Sequence, residues 1–510
     1  MLSSAIREAV LFDVTWFTSW PDRTGIQRYV VELARNWPRD REILPVIVDG
    51  DGEMHIIPST IFSLMEAFFA CDRKDRLALL AEEIRAFRDR KLARVDRVDI
   101  AGCAGIFLPE TTYNENQIKF YMGIVGDFPE KIFAMTYDFI SWLSPEHFPH
   151  FNSSQYGVTG YLRLLRRIRN LGFLSNHTKT VFETRILRGA VANPIVLGGG
   201  ASAFEGTDNR PDSACPEFVF IGTVQLRKQH FLVLDVFSKL WASGCTARLT
   251  FVGQAGNIGD AEAERLRKLS ASQPLFSWIK NASDGDIRNI LGRATALLYP
   301  SMEEGLGLPF LEGLRVGIPA IVSQTLPALE FAAGGYVAID VNAETLDGAV
   351  RSFLDPVFAD ARRREIDRDA LPSWDGIARK VADWIRAGEG AAGGAGVPEH
   401  PLEIAGIPAI GFIERFRRAG IVHRLDRHDG IAFIEACFEE LFGRSPAQAE
   451  VTAWSGVLES QCPSKLDLLL LMASSDDGIA RHGVADLRSW VLGLSLYRSC
   501  PDLSYNAGYP

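Results

Sequence analysis

The sequence has 510 residues but no apolar run of about 18 residues, the length that crosses a bilayer as a helix. Its first residues, 1–14, lack the basic and apolar regions of a secretory signal peptide. Cysteine is scarce, with 7 scattered residues and no Cys-x-x-Cys pair. A disulfide or zinc framework is therefore not expected, and the pattern predicts a reducing, cytoplasmic location.

An excess of positive charge is also absent, because the formal net charge is −10. Nucleic acids bind to basic protein faces, so the sequence predicts no nucleic-acid partner. With 47% hydrophobic and 23% charged residues, the chain has the composition of an ordinary globular protein. Its length predicts about three domains.

The most informative stretch is residues 300–319. The apolar run Ala296–Tyr299 precedes it and is typical of a buried strand. Pro309 suits the first turn of a helix, and Gly317 suits the C-terminal end of that helix. A strand, a glycine-bearing loop and a helix start follow one another where open α/β sheets bind ligands, beyond the carboxyl ends of their strands.

The loop before this helix has the chemistry of a nucleotide-sugar site. Gly305 and Gly307 let backbone N–H groups approach a ligand, and with the helix start these groups form an anion site for phosphate. Glu304 and Glu312 flank the site, where carboxylates suit the hydroxyls of a sugar and of a ribose. The simpler alternative is that Glu312 only complements the helix dipole. The donor-binding residues predicted in this stretch are Gly305, Leu306, Gly307, Leu308 and Glu312.

A second strand, loop and helix start occur at residues 217–241. The apolar strand ends in Gly222, and Arg227 and Lys228 stand before an apolar helix. Two fixed cations beside a helix start can bind a diphosphate, whereas the alternative is that both are surface residues. We predict that Gly222, Arg227 and Lys228 contact the donor.

Two positions in the N-terminal half also follow predicted strands. Gly25 opens a helix after strand 10–14, where backbone N–H groups and Arg28 can face a phosphate, although one glycine at a helix start is common. Asp138 follows strand 131–137, where an aspartate is often only a turn residue. We predict that Gly25 and Asp138 face a cleft.

These segments together resemble retaining glycosyltransferase family 4, and most closely its bacterial mannosyl- and rhamnosyltransferases of surface polysaccharide, over residues 8–387. The resemblance implies an α/β fold of the GT-B type, with two Rossmann-like doubly wound domains facing a cleft. It also implies a reaction without a bound metal or cofactor, in which a nucleotide diphospho-sugar is the donor substrate. Catalytic roles are implied for Glu304, Asp138, Arg227 and Lys228.

Three further positions take their interpretation from this resemblance. Tyr137 stands where the family frequently has a histidine, so a histidine contact with the sugar is not implied here. Glu330 matches a carboxylate at the edge of the family's cleft, and the nucleotide base is expected near Trp278.

The implied domains are an acceptor-side domain at 1–197, a nucleotide-sugar-binding domain at 198–387, a glycine-rich flexible linker at 388–400 and a helical accessory domain at 401–510. The accessory domain resembles the domain of unknown function number 4214, and we expect it to mediate protein interaction. Residues 161–171 have a basic amphipathic pattern, which predicts peripheral contact with the inner face of the plasma membrane. Solvation of this face, or contact with an acceptor pyrophosphate, is the alternative.

The predicted function is transfer of a hexose to a growing cell-surface polysaccharide or lipid-linked glycan, such as the O-antigen of lipopolysaccharide. Mannose from GDP-mannose is the donor that the resemblance favours. A non-catalytic nucleotide-sugar-binding scaffold is one alternative. A sugar-phosphate synthase is another, and it needs extra cations that only residues 163–169 offer.

Overall fold

The computed structural model contains two β-sheets of mainly parallel strands, each packed against helices, which define an N-terminal and a C-terminal lobe. The predicted α/β class with two Rossmann-like units is confirmed. The residues that the structure describes are 6–71, 73–143, 155–187, 189–200, 215–256, 258–388, 403–404, 407–408, 425, 428–460 and 472.

The N-terminal sheet consists of β1 (Val10–Asp13), β2 (Ile43–Val48), β3 (Met54–Ile56), β4 (Ala93–Arg94), β5 (Gly105–Leu108), β6 (Ile132–Thr136), β7 (Asn170–Phe173) and β8 (Asn193–Val196). Their spatial order is β4-β3-β2-β1-β5-β6-β7-β8. At one edge, β3 pairs antiparallel with both β2 and β4, and the other neighbours are parallel.

The helices of this lobe are α1 (Thr15–Ser19), α2 (Gly25–Arg35), α3 (Thr60–Ala70), α4 (Lys74–Ala86), α5 (Arg97–Gly102), α6 (Glu115–Asp127), α7 (Ile140–Leu143), α8 (Gln155–Arg167) and α9 (Asn176–Val181). A 3-10 turn at Phe87–Asp89 and a π-helical turn at Phe182–Leu187 extend α4 and α9.

The C-terminal sheet consists of β9 (Glu217–Ile221), β10 (Arg248–Val252), β11 (Phe276–Ile279), β12 (Ala296–Tyr299), β13 (Ala320–Ser323) and β14 (Tyr336–Ile339). All its neighbours are parallel, in the order β11-β10-β9-β12-β13-β14. Its helices are α10 (His230–Ala242), α11 (Asp260–Ser272), α12 (Asp284–Arg293), α13 (Leu308–Val316), α14 (Ala343–Phe353), α15 (Pro356–Arg364) and α16 (Trp374–Gly388), with 3-10 turns at Leu226–Lys228 and Pro327–Phe331.

The central strands of both sheets are mainly apolar, and both of their faces are buried. In β1, Val10 and Phe12 lie in one hydrophobic core while Leu11 lies in the core on the opposite face. Parallel strands buried on both faces require such continuous apolar runs. Polar side chains are therefore displaced to the loops beyond the carboxyl ends of the strands, where a ligand is accessible.

Helix α16 follows the C-terminal sheet in sequence but packs against the N-terminal lobe. The Trp374 ring lies 5.0 Å from Tyr29, and the Trp384 ring lies 5.0 Å from Phe133, both edge to face. Both tryptophans are buried. The helix thus fixes the two lobes to each other.

The basic segment predicted as one element over 161–171 divides into two. Helix α8 ends at Arg167, and Asn170 begins β7. The Asn170 amide donates to the carbonyls of Glu130 and Ile132, at 3.2 and 2.9 Å, which ties it into the sheet rather than to a helix face. Within α8, Arg163 and Arg167 are exposed, and the membrane contact proposed for this face stays a prediction.

The predicted linker and much of the predicted accessory domain lie outside the described residues, and the domain limits stay predictions. The described part of the tail includes a short antiparallel pair, β15 (Glu403–Ile404) and β16 (Ile407–Pro408). It also includes α17 (Gly430–Cys437), a π-helical turn at Phe438–Phe442 and α18 (Gln448–Ser460).

Candidate active site

Glu304 is the centre of a cluster of cations and hydroxyls beyond the carboxyl ends of β9 and β12. Its Oε1 lies 3.1 Å from Nη1 of Arg227 and 2.9 Å from Nζ of Lys228. The hydroxyls of Tyr299 and Ser301 each donate to the same oxygen at 2.9 Å. The sequence predicted the carboxylate and the two cations, and the structure brings them together.

The cluster is nearly closed to solvent, which makes its electrostatics strong. The side chains of Glu304, Arg227 and Lys228 are only 11%, 12% and 10% exposed. Burial raises the pKa of Glu304, but Arg227 and Lys228 outweigh burial and lower it to about 2. Burial lowers the pKa of Lys228, and the Glu304 charge opposes that shift. One ionised carboxylate facing two cations leaves a net positive charge for an anionic ligand.

Backbone geometry explains the glycines of the two loops. Gly222 has φ 147°, and a Cβ there would lie 3.3 Å from Nζ of Lys228. Gly307 has φ 108° and directly precedes helix α13, and a Cβ there would lie 2.7 Å from Leu326. Both positions are in the left-handed region that favours glycine. The Arg227 carbonyl accepts from the Met302 amide at 2.9 Å, which connects the two loops.

Leu306 and Leu308 have a packing role beside their predicted contact with the donor. A Cβ on Gly199, in the segment that connects the lobes, would lie 2.7 Å from Leu306 and would also collide with Leu308. The Leu306 carbonyl accepts from the Ala328 amide at 2.9 Å. These two side chains therefore hold the loop in place, and their backbone remains the part suited to a ligand.

Asp138 of the N-terminal lobe lies against this loop. A Cβ on Gly305 would collide with the Tyr137 carbonyl and would lie 3.0 Å from Cβ of Asp138. Burial raises the pKa of Asp138, although the Arg227 charge opposes that shift. The Tyr137 hydroxyl donates to the Pro109 carbonyl inside the N-terminal lobe, so this side chain points away from the cleft.

Glu312 is paired across the lobes with Arg28, at 3.1 Å between Oε1 and Nη1. Sequence reasoning assigned Arg28 to a phosphate and Glu312 to a ribose, but it did not pair them. Arg28 lies in helix α2, which begins at Gly25. The side chain of Thr24 caps this helix, because its hydroxyl oxygen accepts from the Gln27 amide at 3.2 Å. Gly25 is exposed, and a Cβ there would meet nothing within 4 Å, so the local packing does not require glycine.

A second contact between the lobes joins Glu330, which sequence reasoning named, to a segment around Ser175 that it did not assign to the site. The Ser175 and Thr178 hydroxyls donate to the Gly305 carbonyl at 2.9 and 3.1 Å. Glu330 accepts from the backbone amide and the side-chain amide of Asn176, both at 2.8 Å. Ser175 also caps α9, which was the available signal, but a cap does not reveal that its oxygen faces another lobe.

Glu110 is a further buried carboxylate that sequence reasoning did not single out. It follows β5 just as Asp138 follows β6, and the same strand-end rule points to it. Its Oε2 accepts from the Phe17 amide at 2.8 Å, and burial raises its pKa to about 8. It is therefore positioned to hold helix α1, which follows β1.

Trp278, which we expect near the nucleotide base, is the last residue but one of β11 and lies beside the loop after β10. Its Nε1 donates to the Gly253 carbonyl at 2.9 Å, and Nζ of Lys280 lies 4.1 Å from its ring centroid. A base-binding role for Trp278 stays a prediction.

Across the described residues, no group of three or more His, Cys, Asp or Glu side chains has the arrangement of a metal site. In the same part of the chain, every helix is too short or too polar to cross a membrane. The predicted independence from metals rests on the family resemblance and stays a prediction.

The sequence profile of the family described as "Glycosyl transferases group 1" matches residues 207–367. This range contains both cations of the cluster, Glu304 and Glu312, but neither Asp138 nor Gly25. The chain is 34% identical over 110 residues to the serotype-specific mannosyltransferase WbdA of Escherichia coli, a stretch that is 22% of this chain and 14% of that protein. It therefore spans only a small part of this relative.

A longer but weaker similarity links the chain to the GDP-mannose:cellobiosyl-diphosphopolyprenol alpha-mannosyltransferase of Komagataeibacter xylinus. The two are 22% identical over 267 residues, which is 48% of this chain and 67% of that protein.

Two solved structures support the fold. Sucrose-phosphate synthase from Thermosynechococcus elongatus aligns with a TM-score of 0.51 and 14% identity, over 75% of this chain and 99% of that one. A glycosyltransferase from Rickettsia africae aligns with a TM-score of 0.50 and 16% identity, over 76% and 100% of the two chains. The chain thus has the GT-B fold, and its residues 207–367 match the glycosyl transferases group 1 family.

Proposed function

We propose that this protein is a retaining, metal-independent glycosyltransferase. It transfers a hexose from a nucleotide diphospho-sugar to a cell-surface polysaccharide or lipid-linked glycan. The observation that carries the proposal is the buried cluster of Arg227 and Lys228 around Glu304, which lies beside the start of helix α13. The match of the surrounding residues to a glycosyltransferase profile supports the same reaction.

Transfer requires charge stabilisation on the leaving diphosphate. As the bond from the sugar C1 to the phosphate oxygen breaks, negative charge develops on that oxygen. The two cations are fixed in a nearly dry site beside the start of α13, where the helix dipole is also positive, and such fixed positive charge stabilises the leaving diphosphate strongly. Glu304 keeps the cations ordered and orients the donor sugar, while Glu312 binds the ribose.

Retention of configuration follows from attack on the face from which the diphosphate leaves. The acceptor oxygen bonds to C1, the phosphate oxygen departs, and that oxygen takes the proton of the acceptor hydroxyl. Asp138, which lies against Gly305, orients the sugar or the acceptor from the opposite lobe.

The proposed donor is GDP-mannose, and the proposed location is the cytoplasmic side of the plasma membrane. Two mannosyltransferases are among the similar proteins, and one of them is named for GDP-mannose. Both names describe those proteins, and here they select the first donor to test.

A thermal-shift screen tests donor binding. Purified full-length protein is heated with GDP, UDP, dTDP and their sugar conjugates, and we expect GDP and GDP-mannose to raise the melting temperature. Glu312→Gln should weaken the shift, because the ribose loses a charged acceptor, whereas Glu344→Gln on an exposed helix start should not. An undiminished shift in the first variant would contradict the role of Glu312.

A turnover assay distinguishes a glycosyltransferase from a non-catalytic nucleotide-sugar-binding scaffold. Mass spectrometry of reactions that contain GDP-mannose and oligosaccharide acceptors should detect an extended glycan with an α-linked mannose. Binding of the nucleotide without transfer or hydrolysis would instead establish the non-catalytic scaffold.

A further inference from the structure

Trp20 is a large aromatic side chain that the fold leaves in water. It is 64% exposed, and in the described part of the chain it is the one aromatic residue among the large apolar side chains with such exposure. It lies between α1 and α2, in the loop beyond the carboxyl end of β1. Tryptophan is enriched where one surface contacts another molecule, because its ring offers a large apolar face.

The loop that carries Trp20 is held in one conformation. The Trp20 amide donates to the Trp16 carbonyl at 2.9 Å, and the buried Gln27 side chain donates to the Trp20 carbonyl at 2.8 Å. The oxygen of the same Gln27 side chain accepts from the Asp22 amide at 2.6 Å. A ligand that contacts the ring therefore finds it already ordered, which lowers the entropic cost of binding.

Trp20 is also the outer end of an aromatic row that leads to the candidate active site. The Trp16 ring is 6.5 Å from the Trp20 ring, and the Tyr113 ring is 6.3 Å from Trp16. Burial raises the pKa of Tyr113 to about 12, and the nearby charge of Asp138 adds to that shift. Asp138 in turn lies against Gly305 of the donor loop.

We propose that Trp20 and the partly exposed Trp16 form the acceptor subsite and bind pyranose rings of a glycan. Tyr113, packed between Trp16 and the buried Tyr161, supports the row from behind. The C–H face of a pyranose is apolar and slightly positive, and it complements the negative face of an aromatic ring. A row that ends at Asp138 delivers the last sugar to the reacting carbon of the donor. This inference rests on the proposed transferase function and names the surface that its acceptor occupies.

The charges around Trp20 favour a glycan over a lipid surface. Asp22 is exposed two residues after Trp20, and its carboxylate can accept hydrogen bonds from sugar hydroxyls but would be repelled by anionic lipid. The Arg23 guanidinium is turned inward, where its Nη2 donates to the Phe68 carbonyl at 2.6 Å. The tip of the loop thus presents an acid to the solvent.

Ligand-observed NMR titration of the full-length protein with mannotriose and with cellotriose tests the subsite. We expect binding of at least one trisaccharide, about tenfold weaker binding in Trp20→Ala, and partial retention in Trp20→Phe. Leu79→Ala is the control, because Leu79 is 70% exposed on the same lobe but lies outside the aromatic row. Equal affinity of Trp20→Ala and the unaltered protein, or binding of neither sugar by the latter, would overturn the proposal.

A vesicle-binding assay tests the alternative that Trp20 contacts a lipid surface. Loss of binding to phosphatidylglycerol vesicles in Trp20→Ala, with trisaccharide affinity unchanged, would also overturn the proposal in favour of a lipid contact. The NMR titration contains no donor, so it tests the acceptor subsite alone. A wrong transferase assignment would appear separately, as the absence of a thermal shift with any nucleotide.

Discussion

At the scale of single residues, Glu304 has the central position of the candidate site, because one of its oxygens faces four donors. An isolated carboxylate at this depth would be costly to ionise, and two cations remove that cost. The same two cations would be costly without the carboxylate. The three side chains thus make a buried site that is charged and stable before any ligand arrives.

Replacement of Lys228 by alanine should lower kcat/KM by about 10²–10³-fold, because one preorganised cation that faces the leaving diphosphate is lost. Steady-state kinetics with the donor identified in the thermal-shift screen measures the change. Lys239→Ala, on the exposed face of α10 in the same lobe, should leave kcat/KM unchanged. Unaltered turnover in Lys228→Ala would contradict the role of this lysine.

Glu110 gives a prediction about pH. Its pKa is raised from 4.5 to about 8 in the folded protein, so between these values the folded state holds a proton that the unfolded chain has released. Stability therefore falls as pH rises from about 4.5 to 8 and levels off above that, by a few kcal/mol at about 1.4 kcal/mol per pKa unit.

Glu110→Gln keeps the shape of the protonated acid but cannot ionise, so the decline should become shallower. Melting temperatures measured at pH 5, 6, 7 and 8 test this, with the exposed Glu82→Gln as the control. Parallel pH profiles for Glu110→Gln and the unaltered protein would show that folding does not raise the pKa of Glu110.

At the scale of elements, the useful unit is a strand, a glycine-bearing loop and a helix start, which occurs at β9 and again at β12. In both, the loop contains a glycine with a positive φ, which is Gly222 after β9 and Gly307 after β12, and a helix follows the loop. Because β9 and β12 are parallel neighbours in one sheet, their carboxyl ends meet at one edge. This adjacency brings Arg227 and Lys228 to Glu304.

Gly307→Ala tests the loop before α13. Its φ of 108° and the 2.7 Å approach of a Cβ to Leu326 predict a loss of about 1–2 kcal/mol in stability and weaker donor binding, since the helix start must shift. Gly348→Ala in α14 is the matched control, because a Cβ there would meet nothing within 4 Å. That variant should be neutral or up to about 1 kcal/mol more stable. Calorimetric unfolding measures the stability and nucleotide titration the donor binding, and equal results for both variants would contradict the prediction.

At the scale of the whole molecule, the lobes are joined by contacts of three kinds. Helix α16 packs its aromatic face on the N-terminal lobe, Arg28 pairs with Glu312, and Ser175 and Thr178 donate to the Gly305 carbonyl. The last two contacts involve the donor loop and its helix. The relative position of the lobes and the shape of the donor site are therefore coupled.

Trp384→Ala should weaken this coupling. Loss of the buried ring that packs on Phe133 should cost about 3–5 kcal/mol and raise the KM for the donor by loosening the lobes. Arg379→Ala, on the solvent side of the same helix, should change neither quantity, since its side chain is 59% exposed. Thermal unfolding and steady-state kinetics measure both, and an unchanged KM in a destabilised Trp384→Ala would show that α16 only stabilises the fold.

The sequence alone determined the features that depend on neighbouring residues. The apolar runs that became β9 and β12 and the helix bracketed by Pro309 and Gly317 followed from local backbone preferences and burial on both sheet faces. The GT-B class was implied by the resemblance of these segments to a known family. The division of 161–171 into a helix and a strand did not follow, because Asn170 pairs with Phe133 of β6 and Asn193 of β8 on neighbouring strands.

Only the tertiary structure decided which groups meet across the cleft. Arg28 and Glu312 are 284 positions apart, and Ser175 and Gly305 are 130 positions apart, so no local pattern encodes either contact. Both depend on how two separately folded sheets are oriented by α16. The same holds for the aromatic row, in which Trp16 comes from helix α1 and Tyr113 from the loop after β5. The local sequence pattern determines where each strand ends. Packing between elements determines which strand ends come together in one site.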